Sequence, residues 1–263
     1  MPITGIVSPL PPEVTLSIDF ATNKTLTPSV GPTPIFERAS VAKFRNASGI
    51  WEEAAVVIPA IELVVGTIKA GTQFIATTDP VDTTGADLLV VASSWYSDSG
   101  GVVDSKGNTW TKLTTLGPSS PLGAIWYCYP TVGKTGSGHT VSQTVGLYSS
   151  VALFAFKNTI AAGFDQQSGR DISPATVLDA SNLTPALPNS LIVTFAGLFT
   201  NTVTPTYPAG FTGGLWAPYV SGQAMALGAA YKIATDGADS NPSWAWSSSS
   251  NAIVGQAIFK PAN

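Results

Sequence analysis

The run LLVVASSWYS at residues 88–97 decides the fold, because a similar run, LIVTFAGLF, returns at residues 191–199. Four segments follow each run in the same order. They are VDSKGNTWTKL, GAIWYCYP, HTVSQTV and SSVALFAF in the first set, and PAGFTGGLW, MALGAAYKIA, PSWAWSSS and NAIVGQAIF in the second. In this matching Leu89 corresponds to Leu191, Tyr127 to Lys232 beside Tyr231, and Phe156 to Phe259. The offset between corresponding residues, 102 from Leu89 to Leu191 and 103 from Phe156 to Phe259, is too long for the repeat of a solenoid. The sequence therefore predicts one five-strand unit used twice, giving two sheets closed over a shared core.

Composition and periodicity both favour an all-β protein. The chain has 25 Gly and 20 Pro and only 11% charged residues, a mixture that suits short strands joined by tight turns. Val141, Gln143 and Val145 alternate with polar residues, and at the matching place Trp244 and Trp246 alternate with the small residues Ser243, Ala245 and Ser247. This period of two is typical of half-buried strands. We predict a two-sheet β-sandwich of jelly-roll or Ig-like type over residues 63–263, with very little helix.

Residues 1–62 differ in composition from the rest of the chain. All five Glu precede residue 63, and eight of the 20 Pro precede residue 60. Proline disfavours continuous strands and helices, so we predict an extended N-terminal arm that is too small to bury a core of its own. Within the arm, the sequence predicts a β-hairpin in which VAKF pairs with IWEE and the connecting RNASG places Ser48-Gly49 at the tip.

The arm carries large apolar side chains that must be covered somewhere, among them Phe36, Phe44 and Trp51. Either the arm packs along the following domain or it docks on another chain, and both can hold at once. If it docks, these three side chains are buried while Arg38 pairs with a carboxylate or a carbonyl. The predicted interface residues of the arm are therefore Phe36, Arg38, Phe44 and Trp51.

Charge and apolar patterning argue against several classes of partner. The net charge of −4 does not favour nucleic acid, since phosphate binding needs clustered Lys and Arg. The longest apolar run, AAVVIPAI at residues 54–61, is far short of a membrane span. The N-terminus lacks the pattern of a signal peptide, so we expect synthesis in the cytoplasm. The single Cys128 excludes an intramolecular disulfide framework and is expected to be buried.

Motifs that could carry catalytic or metal chemistry have simpler explanations. Ser97-Asp98-Ser99-Gly100-Gly101 partly matches the nucleophile loop of trypsin-like proteases, but the one histidine, His139, follows the serine instead of preceding it. Gly133-Lys134-Thr135 lacks the leading glycine of a phosphate loop. Asp98 and the DSKGN segment at residues 104–108 could offer oxygens to calcium, yet DSKGN is foremost a turn. We predict no enzyme, no metal and no cofactor.

The aromatic residues leave a binding function open. Core packing is the commoner use of aromatic residues on strands, and we expect it for Trp126, Trp244 and Trp246. Trp216 and Tyr219 lie in a Gly/Pro-rich stretch, GGLWAPYVSG, which we interpret as a loop. They are the candidate contacts for a host receptor or a surface glycan.

Two resemblances cover most of the chain. The arm resembles the N-terminal segment of tailed-bacteriophage head-fibre or tail-fibre proteins, in which a Phe-x-Arg-Ala-Ser-x-Ala core precedes a turn with Gly. Phe36, Arg38, Ala39, Ser40, Ala42 and Gly49 match, while Glu37 stands where Thr is commoner. The doubled unit resembles β-sandwich modules of phage and bacterial surface proteins through the turn Asp104-Ser105-x-Gly107-Asn108-Thr109-Trp110 and its counterpart Pro208-Ala209-Gly210-Phe211-Thr212.

The resemblances imply a non-enzymatic virion protein of the capsid-decoration or head-fibre type. Its arm would attach it to other virion proteins of the capsid or tail, and its sandwich would project. Attachment in several copies is expected, because symmetric particles offer repeated sites. The alternative is a tail-associated module that binds a receptor or carbohydrate through Trp216 and Tyr219. A secreted bacterial adhesin is the third hypothesis, and the missing export signal disfavours it.

Overall fold

A computed structural model describes residues 42–45, 51–54, 59–71, 75–97, 101–144, 146–219 and 222–262, with only the backbone considered at 42–45, 51–54 and 172–173. The chain divides into two compact units, Met1–Ile58 and Pro59–Asn263. The sequence predicts this boundary at Glu62, which is the first residue of the first strand of the second unit. Within the described residues all regular structure is β, and there is no helix.

The first unit contains a two-stranded hairpin. Strand β1 (Ala42–Arg45) pairs antiparallel with β2 (Trp51–Ala54), with Ala42 opposite Ala54 and Arg45 opposite Trp51. This confirms the predicted pairing of VAKF with IWEE. The predicted tip at Ser48-Gly49 and the rest of the arm, including its extended form, lie outside the described residues.

The first half of the second unit forms one antiparallel sheet. Its strands run in the order β3-β9-β4-β7-β6, and β5 and β8 pair separately as a ribbon. The bounds are β3 (Glu62–Ala70), β4 (Leu88–Trp95), β5 (Val102–Asp104), β6 (Thr111–Lys112), β7 (Leu122–Cys128), β8 (Val141–Gln143) and β9 (Ser150–Lys157).

The second half forms another antiparallel sheet in the order β10-β15-β11-β14-β13, with β12 paired to the first part of β15. The bounds are β10 (Thr159–Asp179), β11 (Ser190–Leu198), β12 (Pro205–Thr206), β13 (Thr212–Tyr219), β14 (Met225–Ala234) and β15 (Ser243–Pro261).

The two sheets have the same strand order, with the first strand of each half beside the fifth, then the second, fourth and third. This confirms the duplicated five-strand unit, and each unit supplies one complete sheet of the sandwich. The strands are not all the predicted segments, because β3 and β10 precede the matched stretches and HTVSQTV forms β8 in the ribbon. The β5–β8 ribbon has its counterpart in β12 paired with β15, and the turn glycines Gly107 and Gly210 both have positive φ.

The exact matching of the copies differs from the sequence prediction. Phe156 pairs with Leu88, and its counterpart Phe259 pairs with Leu191. Leu88 is therefore the counterpart of Leu191, and the assignment of Leu89 was wrong by one residue. The same register makes Tyr231, opposite Val193, the counterpart of Tyr127, opposite Val90. A slip of one residue matters because neighbouring strand residues face opposite sides of a sheet.

Two predicted loops are strands. The stretch GGLWAPYVSG lies mostly in β13, which pairs with β14 after a register shift near Thr212. Pro218 is accommodated because β13 is an edge strand of its sheet. Likewise, the predicted connection at residues 163–190 is mostly β10, although its expected strand at Ala175–Leu178 is part of that element. The sequence did not predict either strand in full, because their glycine, proline and polar residues interrupt the alternation that is typical of strands.

The inner faces of the two sheets form the main core. Large side chains of β4 and β9 meet those of β11, β14 and β15 in one cluster that includes Leu88, Phe154, Phe156, Leu191, Phe195 and Phe259. All of these are at most 1% exposed. The predicted core shared by both copies is thus confirmed.

Each sheet also buries its outer face, which the sequence analysis did not anticipate. Trp95, Trp126 and Cys128 lie in a second cluster under the β5–β8 ribbon, and Trp244 and Trp246 lie in a third cluster on the opposite sheet. The predictions of a buried Cys128 and of core positions for Trp126, Trp244 and Trp246 are confirmed. Because β4 and β11 are covered on both faces, their sequences are mostly apolar and do not alternate between apolar and polar residues.

Candidate functional site

The one histidine of the chain lies in a buried polar network. His139 Nδ1 is 2.8 Å from Thr83 Oγ1, and His139 Nε2 is 3.4 Å from Asp104 Oδ1. The backbone of Val81 and His139 is joined by two hydrogen bonds. The network therefore ties the segment before β4 to the ends of β5 and β8, and His139 is fully buried.

Asp104 is the centre of this network. Its carboxylate accepts hydrogen bonds from the Lys106 amide and from the Trp110 indole, each at 2.7 Å. Burial alone raises the pKa of Asp104, but the interactions with His139, with the Lys106 amide and with the Trp110 indole lower that pKa to about 2. The carboxylate oxygens that the sequence suggested for calcium are therefore engaged by protein donors, and Asp98 lies outside the described residues.

The set of Thr83, His139 and Asp104 has the residue types of a nucleophile, a base and an orienting acid. However, Thr83 and His139 have zero exposure, and so has the Asp104 side chain. A nucleophile must meet its substrate, so this arrangement serves to hold the DSKGNTW turn against the sheet. The turn motif that carries the family resemblance is thus explained as a folding feature.

A cluster of aromatic rings lies at one end of the sandwich, and both halves contribute to it. Tyr96 follows β4, and its counterpart Phe199 follows β11; their rings stack at 5.9 Å with an interplanar angle of 24°. Tyr148 meets Tyr96 edge-on at 5.7 Å and meets Tyr219 edge-on at 5.3 Å. We call Tyr96, Tyr148, Phe199 and Tyr219 the apical aromatic cluster.

Three members of the apical aromatic cluster are partly exposed, namely Tyr96, Tyr148 and Phe199. The side chains that follow them along the chain include Ser97, Thr200 and Asn201, and Asn201 Nδ2 donates to the Tyr219 carbonyl at 2.5 Å. The cluster therefore offers apolar ring faces beside uncharged hydrogen-bonding groups. Such a surface can stack on the apolar face of a sugar or on an apolar side chain of a partner.

The backbone at Tyr148 is adapted to this cluster. Tyr148 has φ of 53°, a left-handed conformation that is uncommon for a residue with a side chain. Its ring packs against Gly222, where an added Cβ would lie 2.6 Å from Tyr148 Cε1. Local strain of this kind is retained where the surrounding structure imposes it, and it concentrates at functional positions.

The two ligand contacts predicted from sequence lie in different surroundings. Tyr219 is fully buried beneath Tyr148, so the expectation that it is an exposed contact was wrong. Burial, and then the neighbouring Tyr148, raise the pKa of its hydroxyl. Trp216 is partly buried against the outer cluster around Trp244. The two side chains belong to different clusters and do not form one platform.

The predicted arm contacts fall outside what the structure describes. Phe36 and Arg38 precede the described residues, whereas Phe44 and Trp51 lie on β1 and β2 without described side chains. Their role at an interface stays a prediction.

Sequence reasoning missed Tyr148 and Phe199. Phe199 could have been found from the duplication, because it occupies the place in the second copy that Tyr96 occupies in the first. Tyr148 had no local signal, since the segment LYSS predicts neither a left-handed residue nor contact with Tyr219. Its position depends on chain segments far apart in sequence.

A small cleft lies between the sheets beside β10. It has a volume of about 220 Å³, with Leu116, Ile125 and Phe195 among its apolar lining residues. Thr114 and Gln167 close one side of it, because the Thr114 amide donates to Gln167 Oε1 at 3.1 Å. This volume is below the usual range of ligand pockets, about 300–1,000 Å³.

Comparison of the chain with protein-family models, with curated proteins and with solved structures found no match. Among the described residues no helix is long and apolar enough to cross a membrane.

Proposed function

We propose that this chain is a non-enzymatic structural protein of a bacteriophage virion, of the capsid-decoration or head-fibre type. In this proposal residues 1–58 attach the protein to other virion proteins, and the sandwich of residues 59–263 is displayed at the particle surface. Several copies would be attached to one particle.

The observation that carries the proposal is the division of the chain into two units, of which the larger has its own cores. All four described hydrophobic clusters consist of residues between Ile61 and Phe259. The larger unit therefore has extensive cores built from its own residues, and in this proposal the arm supplies the attachment. The burial of His139, Cys128 and Asp104 within folding contacts is consistent with a structural role.

The test compares full-length protein with the fragment 59–263 on particles produced without this gene product. We expect the full-length protein to co-sediment with the particles and the folded fragment to stay in the supernatant. Within the full-length chain, Phe36→Ala and Arg38→Ala should reduce co-sedimentation at least tenfold, while the neighbouring Glu37→Ala serves as the matched control. A fragment that co-sediments as well as the full-length protein would refute attachment through the arm.

A second candidate function is recognition of a neutral carbohydrate on the host surface. It is favoured by the apical aromatic cluster, whose partly exposed rings stand beside Ser, Thr and Asn side chains. In this proposal the residues that contact the carbohydrate are Tyr96, Tyr148 and Phe199, in place of Trp216 and Tyr219. An aromatic ring that stacks on a ligand commonly contributes about 0.5–1.5 kcal/mol beyond the area it buries.

Binding of the intact protein to neutral bacterial surface polysaccharides tests this second function. We expect Tyr148→Ala and Phe199→Ala each to weaken binding several-fold, and Trp216→Ala to leave it unchanged. Val132, which is fully exposed elsewhere, provides the surface control Val132→Ala. Binding that is lost with Trp216→Ala but retained with Phe199→Ala would restore the platform predicted from the sequence.

A further inference from the structure

Each half of the sandwich is complete in its own backbone pairing. Every strand pair described in residues 59–157 joins strands of that half, and every strand pair in residues 159–262 joins strands of the other half. Likewise, each of the two outer hydrophobic clusters consists of residues from one half alone. No sheet would have to be broken to separate the halves.

The halves are held together by the inner core together with polar contacts between described residues. Among the described residues, Thr159 donates to the Asp87 carboxylate through its amide, at 3.1 Å, and Gln167 exchanges hydrogen bonds with Thr114. The covalent connection is one residue, Asn158, between the end of β9 and the start of β10. The joint between the halves therefore has the character of an interface between two subunits.

At one end of the inner core this interface is nearly symmetric. Equivalent positions of the two halves carry the same residue types: Leu88 and Leu191, Val90 and Val193, Tyr127 and Tyr231, Phe156 and Phe259. An interface in which equivalent surfaces face each other is typical of two-fold dimers.

At the other end the equivalent residues differ in size, and large faces small. Gly123 of the first half corresponds to Leu227 of the second, and Ala92 corresponds to Phe195. An added Cβ at Gly123 would lie 2.8 Å from Phe195 Cε2 and would collide with Ile253. In a pair of two second halves, Leu227 would stand where Phe195 needs Gly123. The size difference thus disfavours like-with-like pairing and selects the complementary half.

The one-residue connection has the properties of a hinge. Asn158 has φ of 65°, and its Nδ2 donates to the Ala60 carbonyl at 2.7 Å. If Asn158 became extended, β9 and β10 would continue as one strand, and the two halves of a chain would separate. Short connections held in uncommon conformations favour such exchange between copies.

We propose that the inner face of each half is a binding surface for the complementary half of a second copy, and that two chains exchange halves about Asn158. The resulting dimer contains two copies of the same half-to-half interface that the monomer contains once. Such exchange between purified chains does not depend on the proposed virion function.

A matched pair of hinge variants of the full-length chain tests the proposal. Proline holds φ near −65° and is incompatible with the closed hinge, whereas glycine tolerates the observed φ. Both substitutions remove the hydrogen bond to Ala60. We expect Asn158→Pro to elute mainly as a dimer and Asn158→Gly to stay monomeric, with the dimer fraction of wild type rising with protein concentration during refolding.

Exchange is distinguished from ordinary dimerisation by cutting the hinge. A C-terminally tagged and an untagged Asn158→Pro chain, both with a protease site at the hinge, are refolded together, isolated as a dimer and cleaved. Native mass spectrometry should then find the tagged second half bound to the untagged first half. An Asn158→Pro chain that is unfolded or monomeric, or a cleaved dimer in which each half remains only with its own chain, would overturn the proposal.

Discussion

Asp104 shows how one residue explains a motif that the sequence presents only as a turn. The residues after it in DSKGNTW bring the Lys106 amide, the Asn108 amide and the Trp110 indole to one carboxylate. His139 approaches the same carboxylate from β8's side of the ribbon. Gly107, with φ of 70°, and Asn108 therefore serve the geometry of the turn, and the Trp110 indole closes the turn on Asp104.

The lowered pKa of Asp104 has a consequence for stability at acid pH. Because its pKa in the folded protein, about 2, is below the ordinary value of 3.8, the ionised carboxylate stabilises the fold above pH 4. This stabilisation is lost as the pH falls from about 4 towards 2. Asp104→Asn should lower the free energy of unfolding at pH 7 by about 1–3 kcal/mol, since buried donors lose their partner.

Chemical denaturation between pH 2 and pH 7 measures this effect. The variant should also lose part of the acid dependence that wild type shows between pH 4 and pH 2. Asp79→Asn is the matched control, because Asp79 is 67% exposed and pairs with Lys69 at the surface, where an ion pair contributes about 0–1 kcal/mol. Equal losses in the two variants would contradict the role assigned to Asp104.

At the scale of the element, β15 takes part in both the outer layer and the sheet of the second half. Its first part, around Trp244 and Trp246, pairs with β12 and the end of β10. Its later part lies at the centre of the sheet, between β10 and β11. One strand therefore contributes to an outer layer and to a sheet. In the first half the same task is divided between β8 and β9, which are separate strands.

The outer layer should contribute strongly to stability through Trp244. This side chain has zero exposure, its indole donates to Thr194 Oγ1 at 3.1 Å, and its ring lies 5.2 Å from that of Tyr207. We expect Trp244→Ala to lower the free energy of unfolding by about 3–5 kcal/mol, the usual cost of emptying a large buried site.

Trp216→Ala is the control for this prediction, because Trp216 packs on the same cluster but is partly exposed. We expect it to cost roughly 1–2 kcal/mol, in proportion to the smaller apolar area that it buries. Denaturant titration of both variants gives the comparison. If the two substitutions cost the same, the outer cluster does not have the importance that its burial indicates.

At the scale of the whole molecule, two sheets share one inner core, and this predicts cooperative unfolding. Neither half can expose its inner face without exposing the face of the other, since Phe156 and Tyr231 from different halves are in edge-on contact at 5.2 Å. The fragment 59–263 should therefore unfold in a single calorimetric transition, at the temperature of the main transition of the full-length protein. Two resolved transitions within the fragment would show that the halves unfold separately.

The duplication, the all-β class and the β1–β2 hairpin were determined by the sequence alone. Each depends on a local property: the recurrence of segments in order, the period of two along a strand, or the turn chemistry between two short runs. The buried position of Cys128 also followed from its place on an apolar strand.

Only the tertiary structure decided which residues share a site. The burial of Tyr219, the left-handed Tyr148, the contact of His139 with Asp104 and the strand identity of β10 and β13 all depend on partners distant in the chain. A period-two pattern also cannot distinguish two registers that differ by one residue when both faces of a strand are apolar, as in LLVVA. The physical reason is that burial and pairing are properties of contacts between segments, which the order of residues within one segment does not contain.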